Sequence, residues 1–246
     1  MEIHKPHAAG SWREFLIEIG TIVTGIVIAL ALEEGVRALH DRQVAAEARE
    51  AIYAEIRENL QYLRGREATQ PCVGRRLDEI GDLLSKAGEG PLAKRPSWIG
   101  QPSIWFTTSQ RWQVATSSGR ASLFSNAEQG AISSVYVLDS LMAEQQQKEQ
   151  AAWAQLRALE GWTGPLGSVG RAQFVAALQQ ARYAHWQTDV IIRLAQQRAA
   201  VLGIKDVLAH SMGDYDIPHA VCLPIDTSRT AALKRLSADN PFSQPK

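Results

Sequence analysis

The sequence predicts an all-α protein in which an N-terminal transmembrane helix is continuous with a bundle of three to four long helices. Residues 15–32 form an apolar run in which Glu18 is the one charged residue. Beyond this run, apolar residues recur at spacings of three and four, the period of an amphipathic helix, and no alternating strand pattern exceeds five residues. We therefore divide the chain into a short tail over 1–14, a transmembrane helix over 15–32, a helical bundle over 33–210 and a mostly irregular segment over 211–246.

The composition restricts the function classes. The 246 residues include 26 Lys and Arg against 26 Asp and Glu, so the formal net charge is zero. Nucleic-acid binding normally requires a basic excess on one face, so we expect no nucleic-acid partner. The phosphate-binding patterns GxxxxGK[ST] and GxGxxG and the nucleophile pattern GxSxG do not occur in the sequence. We therefore expect a non-enzymatic protein without a cofactor.

The apolar run has three interpretations: a membrane anchor, a cleaved signal peptide or a buried helix. As an α-helix, residues 15–32 would span about 27 Å, close to the thickness of the hydrocarbon core of a bilayer. Trp12 and Arg13 directly precede the run, where an interfacial aromatic residue and a cation are expected. Ser11 and Glu14 have the spacing of a capping box, which predicts that a helix begins here.

The two alternatives fit less well. Ala29 and Ala31 form an A-x-A pattern of the kind that a signal peptidase recognises, but helical patterning continues past this site without interruption. A buried helix would have to explain why nearly all faces between Ile19 and Leu32 are apolar. We therefore favour an uncleaved anchor, with the lipid bilayer as its first partner.

Small residues mark one face of the predicted membrane helix. Thr21, Gly25 and Ala29 are spaced four apart, and such patterns let two helices approach closely in a bilayer. These three residues are therefore candidates for helix packing in the membrane. We expect a homo-oligomer or a complex with another membrane protein.

The N-terminal helix also resembles that of a known group. Residues 18–20 read EIG and residues 25–30 read GIVIAL, and together they resemble the E-I-x5-G-I-x-I-A-L signature of a family of uncharacterised bacterial membrane proteins. Trp112 with Gln113, and residues 117–119 (SSG), resemble a later W-Q and S-S-G segment of that family. The resemblance implies a single-pass protein of the bacterial inner membrane and no activity. We expect the tail in the cytoplasm and the soluble domain in the periplasm.

Local signals predict the order of the soluble helices. The apolar stripe beyond the membrane helix ends at Gly65, and Pro71 then opens a second helix that ends at Gly88. A loop over 88–104, rich in Gly and Pro, leads to a short helix over 107–116.

Two long helices complete the predicted bundle. Ser125 and Glu128 form a second capping box, which predicts the start of a helix that runs to about Glu160. The last long helix is predicted over 171–202, with Gly203 as its cap.

The polar run QQQKEQ over 145–150 interrupts the apolar pattern of the first of these two helices. Either the helix leaves the core at this point, or a polar layer lies inside the bundle. We favour the first interpretation.

Cys72 and Cys222 are the two cysteines of the chain, too few for a disulfide framework. They form one long-range bridge if the domain lies outside the cytoplasm, or they remain two unpaired, partly buried thiols. The sequence favours the unpaired state, because it cannot show that the two residues are close together.

Two further groups of residues are candidate sites. His210, Asp214, Asp216, His219 and Cys222 have side chains of the types that bind zinc and other transition metals, although a polar loop explains their spacing as well. A metal-binding protein or a metal-dependent enzyme that uses this cluster is the alternative function.

The second group is aromatic and consists of Trp98, Trp105, Phe106 and Trp112. Its rings could bind an apolar or sugar ligand or touch the membrane surface, or they could close one end of the bundle core, which we favour. With no catalytic motif in the chain, the leading prediction is a membrane-anchored helical protein that presents an interaction or sensing surface.

Overall fold

The computed structural model describes residues 12–104, 106–204 and 220–238. Over these residues the protein is all-α, as predicted, and no strand is present. The helices are α1 (Trp12–Ala87), α2 (Gln110–Ser117), α3 (Asn126–Arg157), α4 (Gly167–Val201) and α5 (Arg229–Ala238). Single 3₁₀ turns lie at Arg120–Leu123, Ala158–Gly161 and Ala220–Cys222.

Helix α1 is one unbroken helix of 76 residues, about 114 Å long at 1.5 Å per residue. The prediction that it ends at Gly65 and that Pro71 opens a second helix was therefore wrong. Gly and Pro weaken a helix interior, by about 1 and 3 kcal/mol relative to Ala, but packing on both sides offsets this cost. Leu63 and Val73 are buried on either side of the predicted break. Pro71 itself is exposed, so the backbone carbonyl that loses its partner is on the solvent side.

The first part of α1 projects away from the rest of the molecule. Every residue from 12 to 40 is exposed, and burial begins at Ala45. By length and composition, this is a helix that could cross a membrane. The bundle therefore begins near Ala45, whereas the sequence placed its start at residue 33. Residues 33–44 form an exposed stalk of about 18 Å between the apolar run and the bundle.

The directions of the three long helices follow from their side-chain links. Between α1 and α3 the separation of the linked residues stays nearly constant, at 79, 80 and 83 positions, as α1 advances, so these two helices run parallel. These links are Arg49 to Glu128, Asn59 to Asp139 and Arg66 to Glu149. Between α1 and α4 the separation falls from 129 to 115 to 104 as α1 advances, so these two helices run antiparallel. These links are Glu67 to Gln196, Gln70 to His185 and Asp78 to Arg182.

The bundle interior has two apolar clusters along its length. The cluster on the stalk side joins Ile56 of α1, Val135 of α3 and Ile192 of α4. The distal cluster joins Leu77 of α1, Trp153 of α3 and Phe174 of α4.

The start of α3 and the end of α4 follow the predicted signals. The Ser125 hydroxyl accepts a hydrogen bond from the Glu128 backbone N–H, and Gly203 ends α4 with a φ of 71°.

A polar layer lies in the middle of the bundle, between the two clusters. Gln145, Gln146 and Glu149 are buried, so the favoured interpretation that α3 leaves the core over 145–150 was wrong. The Arg66 guanidinium of α1 donates to the Glu149 carboxylate at 2.6 Å, with the two side chains 0% and 1% exposed. The alternative of an internal polar layer is correct, because α1 supplies the buried cation that α3 requires.

The distal end of the bundle is held together by α1. Cys72 and Cys222 form a disulfide, which corrects the favoured expectation of two unpaired thiols. The Arg76 guanidinium donates to the backbone carbonyls of Trp98, Ile99 and Leu223. Two parts of the chain, near residues 98 and 222, are thereby attached to one turn of α1.

The C-terminal segment is more regular than the sequence predicted. Within residues 220–238, a 3₁₀ turn precedes the ten-residue helix α5, which buries Ala232 against Trp98 and Leu223. The irregular segment predicted over 211–246 thus contains a helix. Periodicity in the sequence did not predict α5, because this helix is short and its apolar pattern is weak.

We predict that breaking the buried ion pair destabilises the bundle. Arg66→Met or Glu149→Leu leaves one buried charge without its partner, so each should lower the free energy of unfolding by roughly 3–5 kcal/mol. The double variant Arg66→Met/Glu149→Leu should recover most of this loss, because no charge remains buried. Chemical unfolding in detergent, followed by circular dichroism, measures both effects.

The matched control is the exposed pair Arg193–Asp189, whose side chains are 59% and 40% exposed. Arg193→Met should cost less than about 1 kcal/mol. A double variant as unstable as the single variants would contradict the role given to the Arg66–Glu149 pair.

Candidate functional site around helix α3

Three of the four predicted aromatic residues lie within the described chain, and their surroundings differ. Trp98 is buried and its indole N–H donates to the Ala220 carbonyl at 2.7 Å, which makes it a core residue of the distal end. Phe106 is 75% exposed, whereas Trp112 is partly buried and stacks on Tyr136 with ring centroids 6.4 Å apart. Trp105 lies outside the described residues.

Phe106 lines a cavity of about 500 Å³. This cavity lies between the loop before α2 and the middle of α3. The Gln150 side chain donates to the Pro102 carbonyl at 3.0 Å and holds this loop against α3. The cavity is lined by Ile104, Phe106, Thr107, Ala143, Gln146, Gln147 and Gln150.

Two further cavities meet on the other side of α3. One, of about 380 Å³, lies between α2 and α3, and the other, of about 290 Å³, lies between α3 and α4. Both are lined by Leu141 and Glu144, so they adjoin along α3, and we call the two cavities together the α3 groove. Trp112 lies at one end of the α3 groove, and Trp186, which is 57% exposed, lies at the other.

The α3 groove was not predicted as a site. No site was predicted at Trp186 or at Leu141. No pattern in the sequence distinguishes Leu141, because positions 138, 142 and 143 are also apolar and its exposure depends on how the other helices pack. Leu141 is 46% exposed within α3, next to the polar run that begins at residue 145.

Helix α2 forms one wall of the α3 groove, and buried polar side chains of α1 hold this wall in position. Glu55 of α1 accepts hydrogen bonds from the Tyr136 hydroxyl at 2.6 Å, from the Thr108 hydroxyl at 2.8 Å and from the Arg111 backbone N–H. Asn59 donates to the Thr108 carbonyl and accepts from the Thr108 N–H. The start of α2 is thereby fixed to α1, which places Trp112 beside Tyr136.

Asp139 belongs to the same network, and the pKa of its carboxyl is strongly shifted. Burial raises the pKa of its carboxyl to about 7, although a hydrogen bond from the Asn59 amide at 2.8 Å opposes the shift and the nearby Glu55 adds to it. Burial and the hydrogen bond to Glu55 also raise the pKa of the Tyr136 hydroxyl. The hydrogen-bond network that holds the groove wall therefore includes a carboxyl group that titrates near neutral pH.

The predicted metal cluster falls largely outside the described residues. His210, Asp214, Asp216 and His219 all lie in residues 205–219, which the structure does not describe. The Cys222 sulfur is bonded to Cys72 and so does not offer a thiolate. Within residues 12–104, 106–204 and 220–238, no group of three His, Cys, Asp or Glu side chains is placed to bind a metal ion. Metal binding by the remaining four residues stays a prediction.

The predicted membrane-packing residues are all exposed on α1. The Thr21 hydroxyl donates to the Ile17 carbonyl at 2.9 Å, so its hydrogen-bonding need is met within the helix. No other part of the described chain lies within 4 Å of where a Gly25 side chain would project. Thr21, Gly25 and Ala29 therefore leave this face of α1 open to a second helix.

Comparisons with protein-family models, curated proteins and solved structures find no match for this chain.

We predict that stability falls as pH rises and that Asp139 is a main cause. Between about pH 4 and pH 7 the folded protein holds a proton on Asp139 that the unfolded chain releases, since an ordinary Asp has a pKa near 3.9. The free energy of unfolding at pH 5 should therefore exceed that at pH 8 by on the order of 2 kcal/mol through this group.

Chemical unfolding of the wild type and of Asp139→Asn at both pH values tests this prediction. Asn keeps the shape but does not titrate, so the difference between the two pH values should shrink by the stated amount. Glu144→Gln, a change to an exposed carboxylate on the same helix, should leave the difference unchanged. An unchanged difference in Asp139→Asn would contradict the assignment.

Proposed function

We propose that this chain is a non-enzymatic, membrane-anchored helical protein whose bundle presents an interaction or sensing surface outside the cytoplasm. The observation that carries the proposal is the exposed apolar half of α1. Large apolar side chains such as Ile22, Ile26 and Leu30 are 56%, 54% and 59% exposed, and no part of the bundle covers them. A continuous apolar surface of this size requires another apolar phase, and a bilayer matches its length.

The disulfide supports a location outside the cytoplasm. Bridges such as Cys72–Cys222 form and persist in oxidising compartments and are rare in the cytosol. With one membrane-spanning helix, an external bundle requires the N-terminal tail to lie on the cytoplasmic side. We therefore propose that α1 lies in a bacterial inner membrane and that the bundle lies in the periplasm.

The α3 groove is the part of the bundle that fits a binding role. Trp112 and Trp186 lie at the two ends of the groove, and the apolar Leu141 lies between them. The Lys148 ammonium and the Glu144 carboxylate form an ion pair at 2.7 Å beside Leu141. Aromatic rings beside an apolar residue, with charged groups at the rim, are typical of surfaces that bind proteins or ligands. The absence of a catalytic motif in the sequence agrees with binding rather than turnover.

We predict that the full-length protein partitions into membranes and is released by detergent but not by salt. The double variant Ile22→Arg/Ile26→Arg should move the protein to the soluble fraction, because each central Arg opposes insertion by about 2.5–3.5 kcal/mol. Leu39→Arg is the matched control, since Leu39 is similarly exposed but lies beyond the apolar run. Wild-type protein found in the soluble fraction without detergent would overturn the proposal.

We also predict that the bundle is labelled from outside the cell. Arg171→Cys adds a thiol at the exposed start of α4, and a membrane-impermeant maleimide should label it in cells whose outer membrane has been permeabilised. His4→Cys in the tail should be labelled only after the inner membrane is broken. The reverse pattern would place the bundle in the cytoplasm.

A further inference from the structure

The exposed part of α1 carries a seven-residue repeat that extends beyond the apolar run into the stalk. In heptad notation its a and d positions are apolar or small, and all are exposed. Val36 and Leu39, which lie in the stalk between Glu33 and the bundle, are 68% and 66% exposed. We call this face the seam; its a positions are Ile22, Ala29 and Val36, and its d positions are Gly25, Leu32 and Leu39.

The seam faces away from the bundle of its own chain. The buried residues Ala45, Ala48 and Ile52 define the side of α1 that packs against the bundle. At 3.6 residues per turn, this side lies about 170° around the helix axis from the seam. A second helix can therefore approach along the whole seam without meeting the bundle.

We propose that a second copy of this chain occupies the seam and forms a parallel, two-stranded dimer. The dimer extends from Ile22 to the end of the stalk that is nearest the bundle. The inference rests on the proposed membrane anchor, because two copies inserted in the same direction must pair in parallel. The β-branched Val36 at an a position and Leu32 and Leu39 at d positions are the combination that favours two strands. In the bilayer, Gly25 and Ala29 continue the same face and allow close approach.

Charge complementarity where the stalk meets the bundle favours a second copy of the chain as the occupant of the seam. Arg42 is at the g position, and Glu47 is at the e position of the next heptad, which is the register in which opposite charges pair across a parallel dimer. Both side chains are exposed, and within the described residues of its own chain Arg42 makes no ion pair. Glu47 accepts a hydrogen bond from Gln43 at 3.0 Å and keeps a second carboxylate oxygen for a partner.

Gln43 adds a constraint on register. It is the a-position residue that follows Leu39 in the heptad pattern, and it is exposed. A polar residue at one a position restricts the register and the number of strands in a coiled coil. A stalk of fewer than two heptads is too short to pair alone, so anchoring in the same membrane supplies the effective concentration that pairing requires.

Cysteine crosslinking of the full chain in membranes tests the seam. Val36→Cys and Leu39→Cys place thiols at adjoining a and d positions, and mild oxidation should join them between copies. Glu34→Cys and Ala38→Cys, on the opposite side of the same stalk, are the controls, because their Cα atoms would lie far beyond the roughly 7 Å that a disulfide spans. The dimer fraction should be at least about fivefold higher for the seam variants than for the controls.

A charge exchange tests the pairing register in the same assay. In the Leu39→Cys background, Arg42→Glu or Glu47→Arg places like charges opposite each other and should lower the dimer fraction about two- to fivefold at low salt. The double variant Arg42→Glu/Glu47→Arg should restore it. Peptide mapping confirms that the crosslink joins the introduced cysteines and that Cys72 remains bonded to Cys222.

The outcomes separate the dimer from the anchor. Membrane-bound protein that crosslinks equally at residues 34, 36, 38 and 39, or at none of them, overturns the seam and leaves the anchor in place. Wild-type protein in the soluble fraction overturns the anchor, whatever the crosslinking pattern. Failure of the double charge exchange to restore the dimer overturns the assigned register.

Discussion

The structure depends on one buried ion pair, between Arg66 of α1 and Glu149 of α3. Neither side chain has contact with solvent, and the pair lies between the two apolar clusters of the bundle. Burial lowers the pKa of Arg66 and raises the pKa of Glu149, and the attraction between them opposes both shifts. Because either charge alone would be very costly in this position, α1 and α3 can pack together only in the register that joins the two.

This register also determines which other polar residues of α1 and α3 meet. These contacts in turn set the position of the α3 groove. Two turns toward the stalk from Arg66, Asn59 meets Asp139, and one turn further Glu55 meets Tyr136. A shift of α1 by one turn relative to α3 would separate all three pairs at once. Glu55 and Asn59 also hold the start of α2, so the wall of the groove that carries Trp112 has its position set by the same register. The candidate binding surface is therefore a consequence of polar contacts inside the bundle rather than of a separate loop.

Local signals in the sequence predicted the parts of the fold that local interactions determine. The start of α3 at Ser125 and the end of α4 at Gly203 were correct, because a capping side chain and a left-handed glycine act within a single turn. The continuity of α1 through Pro71 was missed, because it depends on apolar residues of α3 and α4 that cover α1 on both sides of the predicted break. The polar layer was missed for the same reason, since the partner of Glu149 lies 83 residues earlier in the chain.

The candidate site was predictable only in fragments. The sequence singled out Phe106 and Trp112, and both line cavities, but it grouped them with Trp98, which is a core residue. Leu141 and Trp186 lie on helices that are separated in sequence by the turn after α3, and only the antiparallel packing of α3 and α4 brings them to one groove. A contact between two helix faces has no signature in either helix alone, so periodicity could predict the helices but not the surface between them.

The positions of the residues that weaken α1 determine how its apolar half and the bundle are coupled. Pro71 interrupts the backbone hydrogen bonds, but it lies in the bundle, beside the disulfide at Cys72 and close to the carbonyls that Arg76 binds. Bending there would require distal contacts to break together. In the stalk, Gly35 is the residue of lowest helix propensity between Glu33 and Ala45, and such a residue costs only about 1 kcal/mol in a helix. A rotation of the apolar half of α1 about its axis would therefore turn the bundle with it. The orientation of the α3 groove then depends on what this apolar half packs against.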